Sequence, residues 1–136
     1  MLVSNLLAIH QKKYIGKLSA FCGAVSAGYA CGAAITYMLG GNFNQIANTI
    51  TNTLANTSGI ICDGAKPSCA AKISSALDAA LLAHTMSMHD DVFHADEGIV
   101  KDDLEKTIRA VGYIGREGMK STDIEVLNIM IDKVCP

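Results

Sequence analysis

Five cysteines in 136 residues, Cys22, Cys31, Cys62, Cys69 and Cys135, are the side chains of this sequence best suited to chemistry. Cys62 and Cys69 flank the loop C-D-G-A-K-P-S-C, in which Gly64 gives backbone freedom and Pro67 fixes a bend just ahead of a helix. Two thiols at the ends of so short a loop can converge on one metal ion or cluster. Structural zinc sites favour about two to four intervening residues, and here there are six. Spacing alone therefore leaves the pair open as a cluster or zinc site, a redox module, or small buried apolar side chains, the common state of free cysteine. Cys69 falls in the first turn of its predicted helix, where the macrodipole attracts negative charge. Lys66 and Asp63 set the charge of the loop itself.

Three further constellations invite a chemical reading. Asn44, Asn48, Asn52 and Asn56 recur every four residues, drifting only about 40° per step around a helix. Asn52 or Asn56 can hydrogen-bond a substrate; a stripe of amides also serves inter-helix bonding or simple solvation. His84, His89 and His94 are spaced by five, so successive members point about 140° apart and do not form a helical metal pair. With Asp90, Asp91 and Asp96 they read as a divalent-ion loop or, more simply, a solvated acidic loop, while His84 taken alone has the pKa range of a general base. Gly112, Gly115 and Gly118 surround Arg116, whose guanidinium can hold a carboxylate; helix termination explains the same glycines.

The elements that must position these residues all read as helices. Ser4 caps a first helix that Gly16 weakens, and a second runs from about Lys17 to Leu39, ending at Gly40-Gly41. Nine residues separate Cys22 and Cys31 on that second helix, a rotation of about 900° that sets them on opposite faces and makes them poor partners for one metal. Cys31, if it ligates nothing, is expected in the core. Asn42 caps a third helix reaching about Asn56, a loop spans Thr57 to Pro67, and Ser68 opens a fourth helix through Met88. After a polar stretch from His89 to Gly98, a fifth helix covers about Lys101 to Ile114, and a Thr122/Glu125 capping box opens the last, Ile124 to Lys133. No segment alternates with period two. The expected fold is all-α: one compact multi-helix domain over residues 1–136, built around a buried helix of Gly, Ala and Ser.

Composition bounds the function. Eleven basic against thirteen acidic residues leave a net charge of −2, and no Lys/Arg cluster interleaved with aromatics is present, so nucleic acid is not an expected partner. Forty-five consecutive uncharged residues lie between Lys17 and Asp63, whereas 17 of the 24 charged side chains fall from Asp90 onward. The stretch from Leu18 to Leu39 is long enough to span a bilayer but lacks the Leu/Ile/Phe density that drives insertion, so no membrane association is expected. Residues 1–10 lack the basic and apolar pattern of a secretory signal, and an odd cysteine count forbids complete internal pairing. A cytoplasmic, reducing environment follows as the expectation.

Several strings resemble one known family: G-K-L-S-A-F-C-G-A-V (Gly16 to Val25), Y-M-L-G-G (Tyr37 to Gly41), S-G-I-I-C-D-G-A-K-P-S-C-A-A-K (Ser58 to Lys72), E-G-I-V (Glu97 to Val100) and I-G-R-E-G-M (Ile114 to Met119). Taken in order, they are similar to the C-terminal cluster-binding portion of the iron-sulfur L-serine dehydratase alpha chain and L-cysteine desulfidase family. The resemblance implies that Cys22, Cys62 and Cys69 hold a 4Fe-4S cluster, leaving one iron without a protein thiolate. That iron is a Lewis acid for the leaving hydroxyl or thiol of a β-substituted amino acid. The implied reaction is an α,β-elimination without pyridoxal phosphate. It gives aminoacrylate, which hydrolyses to pyruvate and ammonia, and a thiol substrate also releases sulfide. Chains of that family are much longer, so the resemblance implies a missing N-terminal segment, a separate subunit or a homo-oligomer that completes the active site around the amino acid substrate. Cys135 matches a cysteine that some dehydratases of the family carry near the chain end. Two alternatives stand beside this reading: a non-catalytic helical interaction subunit, and the zinc or redox module at Cys62 and Cys69.

Overall fold

A computed structural model describes residues 1–134, so Cys135 lies outside the described residues. Six α-helices follow in order: α1 (Leu2–Ile15), α2 (Gly23–Met38), α3 (Phe43–Thr57), α4 (Ser68–Met88), α5 (Leu104–Tyr113) and α6 (Lys120–Met130), with a π-helical turn at Ile114–Gly118 between the last two. The all-α expectation holds among the described residues. No helix among them is long and apolar enough to cross a membrane.

Helix α2 is the central element, and small residues are the reason. A side chain added at Gly28 would stand 2.8 Å from the Ala76 Cβ and carbonyl oxygen, and one at Gly32 would stand 2.9 Å from the Ala80 Cβ. The α2 and α4 backbones therefore touch. Gly28 meets Ala76, Gly32 meets Ala80, and Thr36 Oγ1 lies 2.9 Å from His84 Nδ1, a constant offset of 48 residues. Two helices held in such a register run parallel, with their N-termini at the same end. Helix α3 returns alongside both, and Thr49 Oγ1 closes the polar junction 2.9 Å from Thr36 Oγ1. On the other side of α2, the buried Tyr29 donates its phenolic hydrogen to the Leu7 carbonyl of α1. Burial pushes that phenol well above its ordinary pKa.

Several boundaries differ from the sequence expectation, each for a local reason. The second helix begins at Gly23, not Lys17, because Gly16 turns the chain at φ +94° and Phe21 then pairs antiparallel with Ile61. Cys22 accordingly sits at the N-cap of α2, outside the helix, and the helical angle between Cys22 and Cys31 does not apply. Ser4 caps nothing; its hydroxyl donates to the Met1 carbonyl. Asn42 does cap α3, through a reciprocal box with Gln45. The fifth helix starts at Leu104, where the Asp103 carboxylate accepts from the Lys106 backbone N–H.

The Thr122/Glu125 box does not form. Helical structure continues from α5 through the π-turn, so α6 starts at Lys120 and both residues lie within it. Gly112 and Gly115 serve close approach rather than termination, whereas a Cβ at Gly118 would make only an ordinary contact with Ile114 Cγ2 at 3.8 Å. A Cβ at Gly112 would fall 2.3 Å from the Tyr14 Cβ, and one at Gly115 would fall 3.1 Å from the Phe21 Cβ. The Gly115 carbonyl accepts the Ser19 hydroxyl, which ties the π-turn to the extended segment ahead of Cys22.

Glu105 joins α5 to α1. Its carboxylate accepts from the Tyr14 hydroxyl at 2.6 Å and lies 2.8 Å from His10 Nε2. The Tyr14 hydrogen bond, reinforced by His10, outweighs burial and holds this carboxyl below the ordinary glutamate range. A depressed folded-state pKa stabilises the fold above the unfolded value and ceases to do so as pH falls through the folded one. Denaturant midpoints should therefore fall on acidification more steeply in the wild type than in Glu105→Gln. Parallel curves would show that the carboxylate contributes nothing specific. At the α2–α4 contact, Gly28→Ala should lower stability by about 1–3 kcal/mol, the cost of overpacking a tight core, as read by thermal unfolding.

Candidate functional site

The extended segment ahead of α2 determines where the cysteines go. The Cys22 N–H donates to the Ile60 carbonyl at 3.1 Å, and the Cys62 N–H donates to the Ala20 carbonyl, on either side of the Phe21–Ile61 bridge. In an antiparallel pair, residues one step beyond such a bridge share a face and lie diagonally opposed, about 7–8 Å apart. Cys22 is 3% exposed, and the half-buried Cys62 packs against the apolar cluster that contains it. Forty residues of sequence are bridged in this way.

Cys69 arrives by the α2–α4 register. The same 48-residue offset sets Cys22 level with Cys69 and Ala70, at the end of the helix pair where both N-termini lie. Gly64, at φ +90°, turns the intervening loop, and Cys69 Sγ stands 3.3 Å from its carbonyl oxygen. A cavity of about 450 Å³ opens beside Cys62, with apolar walls from Leu18, Val126, Leu127 and Met130 and one carboxylate, Asp123. Helix α6 forms its outer side.

The decisive charge at this end is Lys72, which sequence reasoning overlooked in favour of Lys66. Lys72 follows Cys69 by three residues, so the two share a helix face. Its ammonium donates to the Ile61 carbonyl at 3.0 Å and to the Asp63 carboxylate. Asp63's hydrogen bond, against the opposing cost of burial, holds Lys72 above the usual lysine value, and the nearby Cys22 and Cys69 thiols act in the same direction. In turn, the Lys72 hydrogen bond draws Asp63 below the usual carboxylate range. Lys66 is exposed. The signal available in the sequence was position: Lys72 stands one turn after Cys69 on the same face, whereas Lys66 precedes the helix.

Three thiols are a donor set suited to an iron-sulfur cluster, and the fold carries all three to one end of the α2–α4 pair beside one cation. With the side chains as they stand, no group of three His, Cys, Asp or Glu among the described residues is gathered closely enough to hold a metal ion. Cys69 directs its thiol at the Gly64 carbonyl instead. The residues fit the group by donor type and neighbourhood, and ligation requires the thiols to turn toward one another.

The remaining sequence candidates lie elsewhere or are occupied. Cys31 is exposed on α2, contrary to the expectation of a core position, because the α4 contact turns Gly28 and Gly32 inward. His84 is fifteen residues along α4 from Cys69, about 22 Å, and bonds the buried Thr36 hydroxyl. Asn52, 2% exposed, donates to the Asp91 carbonyl and accepts from the Phe93 N–H, each at 3.0 Å, so both ends of its amide fasten the polar loop. Asn56 is exposed. His89, His94, Asp90, Asp91 and Asp96 form no metal-holding group among the described residues.

Comparison with known proteins gives the family. The model of the serine dehydratase alpha chain family matches residues 1–128. The chain belongs to that family. Relatives carrying only the designation UPF0597 protein include one from Treponema denticola, 60% identical over 96% of this chain, and one from Finegoldia magna, 53% identical over 98%. Another, from Lachnoclostridium phytofermentans, is 55% identical over 97%. Against these relatives the chain spans only 30–32% of their length. No solved structure matches. Within the family member described here, Lys72 is what ties α4 to the Ile61–Asp63 segment. Replacing it by Met should accelerate amide hydrogen exchange at Cys22 and Cys62 relative to the rest of the core, while Lys72→Arg should largely preserve protection. Equal exchange in all three proteins would reduce the lysine to a surface ion pair.

Proposed function

We propose that this chain is the cluster-carrying portion of an iron-sulfur lyase, with Cys22, Cys62 and Cys69 as ligands of a 4Fe-4S cluster. The reading rests on one observation above all: strand pairing and helix register bring three cysteines distant in sequence to one end of the α2–α4 pair. Family membership supports it. When bound, the cluster supplies a Lewis-acidic iron that takes the departing β-hydroxyl or β-thiol of the substrate.

The chain's own residues do the rest of what this portion contributes. Lys72 offsets part of the negative charge of three thiolates, and its bond to the Ile61 carbonyl holds the strand that presents Cys62. Leu18, Val126, Leu127 and Met130 line the cavity beside Cys62 with apolar surface. The substrate is a β-substituted amino acid, L-serine or L-cysteine. L-Serine yields pyruvate and ammonia; L-cysteine with water yields pyruvate, ammonia and sulfide. His84, about 22 Å along α4 from Cys69, is not placed to abstract the α-proton, and a further segment, a separate subunit or a second copy of the chain completes the active site. Exposed apolar residues on one stripe of α4, Ile73, Leu77 and Leu81, and on α6, Ile124 and Leu127, supply surface for that association. They are also what favours the second reading, a helical interaction subunit that binds no cluster.

Anaerobic reconstitution with iron and sulfide decides between the two. The expected product is brown, with broad charge-transfer absorbance and equal amounts of iron and sulfide. Cys62→Ser and Cys69→Ser should lose it while Cys31→Ser retains it. A full cluster in either of the first two variants overturns the ligand assignment. Zinc in protein purified without air, in place of iron, would favour the structural-metal alternative.

A further inference from the structure

Helix α3 packs on one side of the α2–α4 pair, and the opposite side is uncovered among the described residues. The contact itself uses Gly28 and Gly32 of α2 with Ala76 and Ala80 of α4, so the next strip around each helix points outward on that uncovered side. On α4 the strip is Ala70, Ile73, Leu77, Leu81, Thr85 and Met88, all exposed. On α2 it is Ala24, Ala27, Cys31, Ile35 and Met38, of which only Ala24 and Ile35 are half-buried. No charge falls on either strip. Helix α2 has no Asp, Glu, Lys or Arg, Lys72 of α4 is turned to the Ile61 carbonyl, and Asp78 lines a groove toward α3 with Asn56 and Thr57. Two adjacent helices of 16 and 21 residues present a face of roughly 30 Å by 20 Å. In accessible surface that is on the scale of the roughly 800 Å² each partner contributes to a stable complex.

Both strips are complementary to themselves. When two α4 helices pair antiparallel about Ala79, Leu77 meets Leu81, Ile73 meets Thr85 and Ala70 meets Met88, and every contact recurs with the copies exchanged. The 48-residue offset between α2 and α4 sets Ala79 level with Cys31. An axis that crosses α4 at Ala79 therefore crosses α2 at Cys31, where the same operation pairs Ala27 with Ile35 and Ala24 with Met38. Small opposes large at three of these pairs, which is what interdigitation requires. One two-fold axis thus satisfies both helices at once. A charged partner would lose hydration against this face without gaining an ion pair, whereas a second copy brings no charge to it.

We propose that this face is the two-fold interface of a homodimer, in which α4 packs antiparallel on α4 and α2 on α2, with the two Cys31 side chains at the axis. The inference does not depend on the iron-sulfur reading, because Cys22, Cys62 and Cys69 lie off the face. Sedimentation velocity of the chain in reductant at micromolar concentration should give twice the monomer mass. Leu81→Glu should weaken dimerisation by about a hundredfold or more, since a symmetric contact takes the substitution twice, and its circular dichroism should be unchanged. Ile124→Glu, on α6, should leave the dimer intact. A disulfide needs Cα atoms within about 7 Å, so oxidation reports the register. Diamide, reduced to its hydrazine as two thiols give up two hydrogens, should link the copies through Cys31, as identified by peptide mass, and should not do so in Leu81→Glu. If Leu81→Glu fails to fold, Cys31→Arg, which sets two cations on the axis, takes its place and should likewise give monomer. A monomeric wild type would give the face to another part of a longer protein and overturn the proposal. Undiminished dimerisation in the folded variants, dissociation by Ile124→Glu alone, or oxidative linkage through other cysteines that spares Cys31 would each overturn it as well.

Discussion

Backbone contact between α2 and α4 is the constraint on which the rest of this structure depends. Two glycines and two alanines allow the helices to meet without intervening side chains, and the fixed offset carries that contact from Gly28–Ala76 to Thr36–His84. A parallel pair of this kind needs a long connection. Helix α3 and the Thr57–Pro67 segment provide it, and the chain must come back to the end from which it left. That return is what places the cysteine loop against the entrance to α2. The small-residue stripe and the thiol neighbourhood are thus consequences of one packing decision.

The same decision accounts for the electrostatics. From Leu18 to Cys62 the chain carries no charge, so the helices enclosing the core bring none with them. Asp63 and Lys72 are among the first charges after that run, and they pair with each other at the edge of the apolar cluster. Lys72 acts on the neighbouring Cys22 and Cys69 thiols with Asp63 as the one acid that draws on it. Lys66, two residues beyond Gly64 on the exposed side of the loop, has no such leverage.

At the far end of the helix pair, polar side chains take the place of glycine. Thr36, Thr49 and His84 join the three central helices, and Asn52 reaches outward to fix the loop after α4. The asparagine ladder therefore divides by depth, not by kind. Asn52 is buried and structural, Asn48 is half-buried, and Asn44 and Asn56 are exposed. Identical residues at a four-residue spacing acquire different duties because α3 is covered unevenly along its length.

Much of the fold was legible in the sequence because its signals are local. Three- and four-residue apolar spacing, the Asn42–Gln45 cap and the Gly40-Gly41 stop depend on neighbours a turn away, and α3 and α4 appear where those signals put them. The loop between Cys62 and Cys69 was equally plain. Tertiary structure decided whatever required a distant partner. The Phe21–Ile61 pairing removed Cys22 from its expected helix, the π-turn carried α5 into α6 past an apparent capping box, and the α4 contact turned Cys31 outward. Lys72 looked like any helical lysine until the Ile61 carbonyl came within 3.0 Å of it. Hydrogen-bonding and packing preferences encoded in single residues are weak, and contacts made across forty residues of chain are strong enough to override them.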